Sequence, residues 1–256
     1  MDLELAGRRA VVTGASKGIG RATALALAHE GAQVYAVARS PFPDDVPGVT
    51  SVELDLTAPN AAARLAERVG PVDVLVNNIG AALPASMDAA GFLDIDDATW
   101  RATFELNLFA TVGVTRALLP SLLDREGVVI TVSSIGARAA YQPVDYGAAK
   151  AALTNLSKAL AEEFGDRGLR ALTVSPGPTR TGNWSDPDGY AGRLAAQQGV
   201  TVEDFLVTVP EAMSIALGRL SEPEETAALI TFLASHRAGN ITGVDYIADG
   251  GTLKAV

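Results

Sequence analysis

Short apolar runs alternate along this chain with stretches whose apolar positions recur every three or four residues. Residues 9–13 (RAVVT) and 33–38 (QVYAVA) are β-branched or apolar at nearly every position, as expected of strands buried on both faces. Between them, Ile19 to Glu30 places its apolar side chains at helical spacing and ends at Gly31, a good helix terminator. The order strand, loop, helix, strand implies a right-handed crossover and a parallel sheet. The same alternation predicts strands over 49–54, 72–76, 127–132, 170–174 and 244–247. It predicts helices over 59–69, about 96–123, 145–164 and 223–235, with a loop over 81–93. Pro-, Gly- and Asp-rich stretches at 40–48 and 182–192 read as loops within the same unit. About seven strands interleaved with helices over the whole length predict an α/β fold, one doubly wound domain over 1–256.

Composition narrows the chemistry. The net charge is −10, with 20 basic against 30 acidic residues, which argues against a nucleic-acid or anionic-membrane partner. Any anionic ligand must then be held by local features. The absence of cysteine removes disulfides, thiolate catalysis and cysteine-ligated metals. His29 and His236 are the only imidazoles, too few for a histidine-built metal site. The charged stretch Met1 to Arg9 has no signal-peptide core, and no 18 apolar residues run uninterrupted, so a cytoplasmic location is expected.

In a doubly wound sheet, ligands bind beyond the carboxyl ends of the strands. The first strand is followed by Gly14, Gly18 and Gly20, a glycine-rich turn that opens a helix and lets the backbone approach a pyrophosphate. The spacing is G-x-x-x-G-x-G, not G-x-G-x-x-G. The same residues satisfy G-x-S-x-G, which would make Ser16 a hydrolase nucleophile with His236 as base. That reading leaves Gly20 unexplained and gives almost no preceding chain from which to build an oxyanion hole. After the second strand stands Arg39, and Lys17 lies in the glycine turn. Two cations without a carboxylate favour NADP(H) over NAD(H). Asp55 ends the third strand, Asn77 and Asn78 the fourth, and Ser133 and Ser134 the fifth. Asn78 is equally a turn former tying neighbouring strands together. Beyond the sixth strand lies a rigid turn, Pro176 to Thr181. Tyr146 and Lys150 sit four apart on a predicted helix, so a phenol and a cation share one face. A neighbouring cation favours the phenolate and draws the phenol toward useful acid–base range.

Together these residues resemble the short-chain dehydrogenase/reductase family over essentially the whole chain. The motifs are Thr13 to Gly20, Asp55, Asn77 to Gly80, Asn107, Ser133, Tyr146-x-x-x-Lys150, Pro176-Gly177 and Thr181. The resemblance implies a Rossmann-type domain with a seven-stranded parallel sheet and helices on both faces. It implies a catalytic set of Asn107, Ser133, Tyr146 and Lys150. Ser133 is selected over Ser134 because the family's serine lies thirteen positions before the tyrosine and three before a glycine. It implies cofactor contacts from Gly14, Ser16, Lys17, Gly18, Ile19, Gly20, Arg39, Asp55, Leu56, Asn78, Gly80, Tyr146, Lys150, Pro176, Gly177, Thr179 and Thr181. The implied chemistry is hydride exchange between a nicotinamide and a carbonyl or alcohol carbon, with Tyr146 moving the proton, Ser133 orienting the oxygen and Asn107 anchoring a water. Two departures are visible: Ile79 stands where the family usually has Ala, and the segment 81–94 is somewhat long.

The substrate region is expected at 182–217, a lid whose Trp184, Tyr190, Phe205, Leu206 and Met213 predict a small apolar or ring-containing carbonyl substrate. The acidic residues Asp186, Asp188, Glu203 and Asp204 speak against a strongly anionic carrier protein. A 3-oxoacyl-thioester or polyketide ketoreductase shares the same catalytic residues, and a non-catalytic dinucleotide-binding regulator would be expected to lack Tyr146 or Lys150. Apolar residues on more than one face of the helices near 102–123 and 148–164, with the family's habit of pairing them, predict a homotetramer, with a dimer as the smaller alternative.

Overall fold

A computed structural model describes residues 1–254. Seven parallel strands form one sheet in the order β3-β2-β1-β4-β5-β6-β7. They are β1 (Arg9–Thr13), β2 (Gln33–Ala38), β3 (Val49–Glu53), β4 (Val74–Asn77), β5 (Val128–Val132), β6 (Arg170–Pro176) and β7 (Asp245–Ala248). Strand order reverses between β1 and β4, and there the two first crossovers diverge and leave a crevice above the carboxyl ends. Every strand expected from the sequence is present, with ends moved by one or two residues.

The helices are α1 (Gly18–His29), α2 (Ala61–Val69), α3 (Pro84–Asp88), α4 (Asp97–Phe104), α5 (Ala110–Asp124), α6 (Val144–Phe164), α7 (Gly182–Ser185), α8 (Tyr190–Gln198), α9 (Val202–Ala212) and α10 (Pro223–Ala234). Alternation along β1 shows how the two layers arise. Ala10 and Val12 face one core, with Leu27 of α1 and Ile230 and Leu233 of α10. Val11 faces the other, with Leu65 of α2 and Val114, Leu118 and Leu122 of α5. Successive strand side chains point to opposite faces, so each strand must be apolar throughout, as its sequence is.

The region expected as one helix near 96–123 is two helices joined by a π-helical turn, Glu105–Phe109. The expected loop over 81–93 holds α3 and a short 3₁₀ turn, Phe92–Asp94. The span 182–192, expected as a loop, carries α7 and the start of α8.

Candidate active site

The glycine turn has the shape its sequence suggests. Gly14 and Gly18 adopt φ of +65° and +56°, where a side chain would be strained. A Cβ on Gly20 would collide with the carbonyl of Gly14, so the helix can start this close to the turn only with glycine there. Helix α1 starts at Gly18 with no acidic residue in its first turn and no side chain capping it, leaving its N–H groups free for an anion. Lys17 and Arg39 are exposed at this end of the sheet, and neither makes an ion pair among the described residues. Asp55 folds back on its own turn, accepting from the backbone N–H and hydroxyl of Thr57 at 2.9 and 2.7 Å, which holds its carboxyl below the usual range. These features fit a dinucleotide phosphate chain over α1, with cations at its adenosine end.

Asn78 takes the tying role. Its Nδ2 donates to the carbonyls of Thr13 and Gly14, both at 3.1 Å, and the Thr13 hydroxyl accepts from the backbone of Asn78 and Ile79. It thus holds β4 to the glycine turn. Thr179 is buried, with its hydroxyl donating to Gly177 O at 2.9 Å. Thr181 lies against the turn itself, where a Cβ on Gly18 would meet its Cγ2 at 3.0 Å. Residues 176–181 therefore close over the start of α1.

Tyr146 and Lys150 share one face of α6, with the ammonium 5.6 Å from the phenol ring centroid. Lys150 is buried and donates from Nζ to Val132 O at 2.9 Å; burial pushes its pKa down to about 8. Burial pushes the Tyr146 phenol up to about 12, and the Ser134 hydroxyl pulls it partly back. The ammonium also adjoins Gly80, where a Cβ would lie 3.0 Å from Nζ and 2.5 Å from Asn107 Oδ1. Gly80 is thus the only residue type that leaves this corner open.

The two adjacent serines, of which the sequence selected Ser133, turn their hydroxyls opposite ways. Ser133 still belongs to the β5 ladder, its N–H bonded to Val174 O, and its buried hydroxyl donates to Lys150 O at 3.0 Å and meets Thr154 Oγ1 at 2.9 Å. Ser134, the next residue, necessarily faces the other way, toward Tyr146. It opens a 3₁₀ turn (Ile135–Ala137) and accepts Gly136 N–H at 3.1 Å. The following loop drops onto α6 through a glycine pair: a Cβ on Gly147 would approach Gly136 O to 2.9 Å. Its far side is pinned by Arg138 to Asp245 at 2.8 Å.

Asn107 sits buried in the π-helical turn with its amide bonded to two residues, Ala81 and Thr103. Oδ1 accepts from Ala81 N at 3.1 Å, while Nδ2 donates to Ala81 O at 3.0 Å and Thr103 O at 2.9 Å. The side chain fastens the chain after β4 to the π-helical turn.

The lid residues expected to meet substrate mostly meet one another. Phe205, Val209, Ile215 and Leu220 form a small separate core, with Trp184, Leu206 and Met213 packed on it. Trp184 and Tyr190 stack edge to face at 5.6 Å between centroids. The inference of an apolar substrate rested on these side chains, and their packing withdraws it. An ion pair between Arg193 of α8 and Asp88 of α3, 2.6 Å long, ties the lid to the opposite wall.

Comparison with known proteins agrees with this geometry. The family model described as enoyl-(acyl carrier protein) reductase matches residues 14–252. L-xylulose reductase of Mus musculus is 37% identical, the alignment covering 99% of each chain. The 2-keto-3-deoxy-L-fuconate dehydrogenase of Xanthomonas campestris is 33% identical over 98% of this chain and 81% of its own. The crystal structure of L-sorbose reductase from Gluconobacter frateurii, complexed with NADPH and L-sorbose, superposes with a TM-score of 0.88 at 32% identity over the whole of both chains. Fold, matched span and named relatives together place this chain in the short-chain dehydrogenase/reductase family, as an oxidoreductase acting on carbonyl and hydroxyl groups.

Proposed function

We propose that the protein is an NADP(H)-dependent reductase of small, polar ketones of the keto-sugar type, working reversibly on the corresponding alcohols. The observation that carries this reading is the placement of the Ser134 and Tyr146 hydroxyls side by side, with the Lys150 ammonium behind the phenol. Bound NADPH would supply the hydride. It would lie over Gly14, Gly18 and Gly20, with the unpaired cations Lys17 and Arg39 at its 2′-phosphate. Ser134 donates a hydrogen bond to the substrate carbonyl oxygen and fixes its direction. Tyr146 holds its proton firmly, since its phenol stands well above neutral pH, and releases it to that oxygen as negative charge develops there. Lys150 in its charged form stabilises the phenolate left behind.

The substrate class is supported by the relatives' names, an L-xylulose and an L-sorbose reductase, and by the packing of the lid's Phe205, Trp184, Leu206 and Met213 into a core of their own. A 3-oxoacyl-thioester substrate is the second reading; the matched family model's description shares with it only the acyl carrier, naming an enoyl thioester. The exposed acidic residues Asp186, Asp188 and Glu203 of the lid speak against it. NADPH oxidation at 340 nm, followed with L-xylulose, L-sorbose and a 3-oxoacyl thioester, and repeated with NADH, decides. Turnover is expected with the ketoses and NADPH. Preference for the thioester would install the second reading, and preference for NADH would remove the role given to Lys17 and Arg39.

A further inference from the structure

Asp145 precedes Tyr146 in sequence but points away from the cleft, into the protein, and none of the chemistry above uses it. It is fully buried in the first turn of α6. Its Oδ2 accepts from the hydroxyls of Ser86 on α3 and Thr103 on α4, each at 2.6 Å, and both donors are buried too. Two O–H donors thus converge on one carboxyl oxygen in the first turn of the helix, where an acceptor is favoured. Oδ1 is buried with no donor among the described residues. A buried carboxyl with one oxygen unpartnered costs stability, and an apolar residue of similar size would avoid that cost.

The contacts continue from there. Thr103 O accepts from Asn107 Nδ2 at 2.9 Å, and Asn107 grips both backbone groups of Ala81. The stretch 81–86 is therefore fastened at both ends, to Asn107 at Ala81 and to Asp145 at Ser86. Two residues on, Asp88 pairs with Arg193 of the lid. The segment that is long for the family is thus a strut between the catalytic helix and the lid.

We propose that Asp145 is a positioning residue, which fastens segment 81–88 to the first turn of α6 and so fixes the cleft wall facing Tyr146. The turnover consequence rests on Tyr146 being the proton donor; the fastening itself does not. The full-length variants Asp145→Ala, Asp145→Asn and Ser86→Ala test it. In Asp145→Asn the amide oxygen still accepts both hydroxyls, so this variant preserves the tie. Asp145→Ala is expected to lower kcat between about ten- and a hundredfold, as a small displacement at a reacting centre does. NADPH affinity should stay at the parent's value. Asp145→Asn should recover most of the loss, and Ser86→Ala should fall between.

Hydrogen exchange should quicken at 81–88 and 144–147 in Asp145→Ala and not across the rest of the sheet. Parental kcat in Asp145→Ala, no rescue by Asn, or unchanged exchange at 81–88 would each overturn the proposal. If Asp145→Ala fails to fold, Ser86→Ala must show the same two changes or the proposal fails. Should the parent reduce no carbonyl compound at all, the proposed function is what fails, and exchange alone decides the role of Asp145.

Discussion

At the scale of single residues, Lys150 sets function against stability. Burial lowers its pKa from 10.5 to about 8, a difference worth roughly 3 kcal/mol, so below about pH 8 the fold must carry a desolvated ammonium. Between about 8 and 10.5 the unfolded chain binds the extra proton, and stability rises with pH. Tyr146 has the opposite sign: its phenol is raised to about 12, so its contribution is full below pH 10 and is lost as pH rises through 12. Lys150→Met should therefore be more stable than the parent at pH 7, by roughly 1–3 kcal/mol. Urea denaturation at pH 7 to 10 should show that advantage shrinking as pH rises; a constant difference would mean that Lys150 is not desolvated. The serines give a second outcome. Ser134→Ala should lower kcat about a hundredfold or more with the fold intact. Ser133→Ala should cost about 1 kcal/mol of stability through Lys150 O and Thr154 while turnover changes little. Steady-state kinetics and denaturation on both variants check this, and the reverse pattern would return the catalytic role to Ser133. The phenol–ammonium pair was legible because spacing of four on a helix fixes a common face. The serines were less legible, because neighbouring positions at a strand end face opposite ways and spacing alone does not show which hydroxyl turns toward the phenol.

At the scale of elements, what could be read was whatever depended on a repeating pattern. Strands buried on both faces are apolar at each step, and all seven stand out. Less legible were elements whose reason lies elsewhere in the fold. The lid helices α8 and α9 bury only a narrow stripe in a small core of their own, and α9 contains Pro210, which reads as a break. The π-helical turn leaves the apolar spacing around it almost unchanged, yet it is where Asn107 turns inward to grip Ala81. Helix α3 is five residues long and gains its order from Ser86 and Asp88, partners on two distant helices, which no local pattern reveals. Glycine pairs belong to the same class. Gly136 against Gly147 and Gly14 against Gly20 are contacts between backbones brought together by the fold, and in sequence each is only a glycine.

At the scale of the whole molecule, the stretch Asp97–Asp124 has the length and apolar content of a membrane span. Its inner side chains Val114, Leu118 and Leu122 are already committed to the sheet, so the excess apolar surface is on its outer side. There Phe109 is 54% exposed, beside the partly exposed Val112 and Gly113. The outer side of α6 exposes the small residues Ala148, Ala151 and Ala159 beside the polar Asn155, Lys158 and Glu162. We propose that a second copy covers these faces, the phenyl rings seating against small side chains. Twofold symmetry would place Phe109 in each such interface twice. Burying a phenyl ring contributes roughly 2 kcal/mol, so replacing it on both sides should weaken association by more than about a hundredfold. Light scattering coupled to size exclusion should find the parent as a tetramer or dimer at micromolar concentration. Phe109→Arg should shift to a smaller species while keeping NADPH binding, since Phe109 is not among the residues against Gly14, Gly18 and Gly20. A monomeric parent would leave the apolar outer face unexplained and refute the pairing.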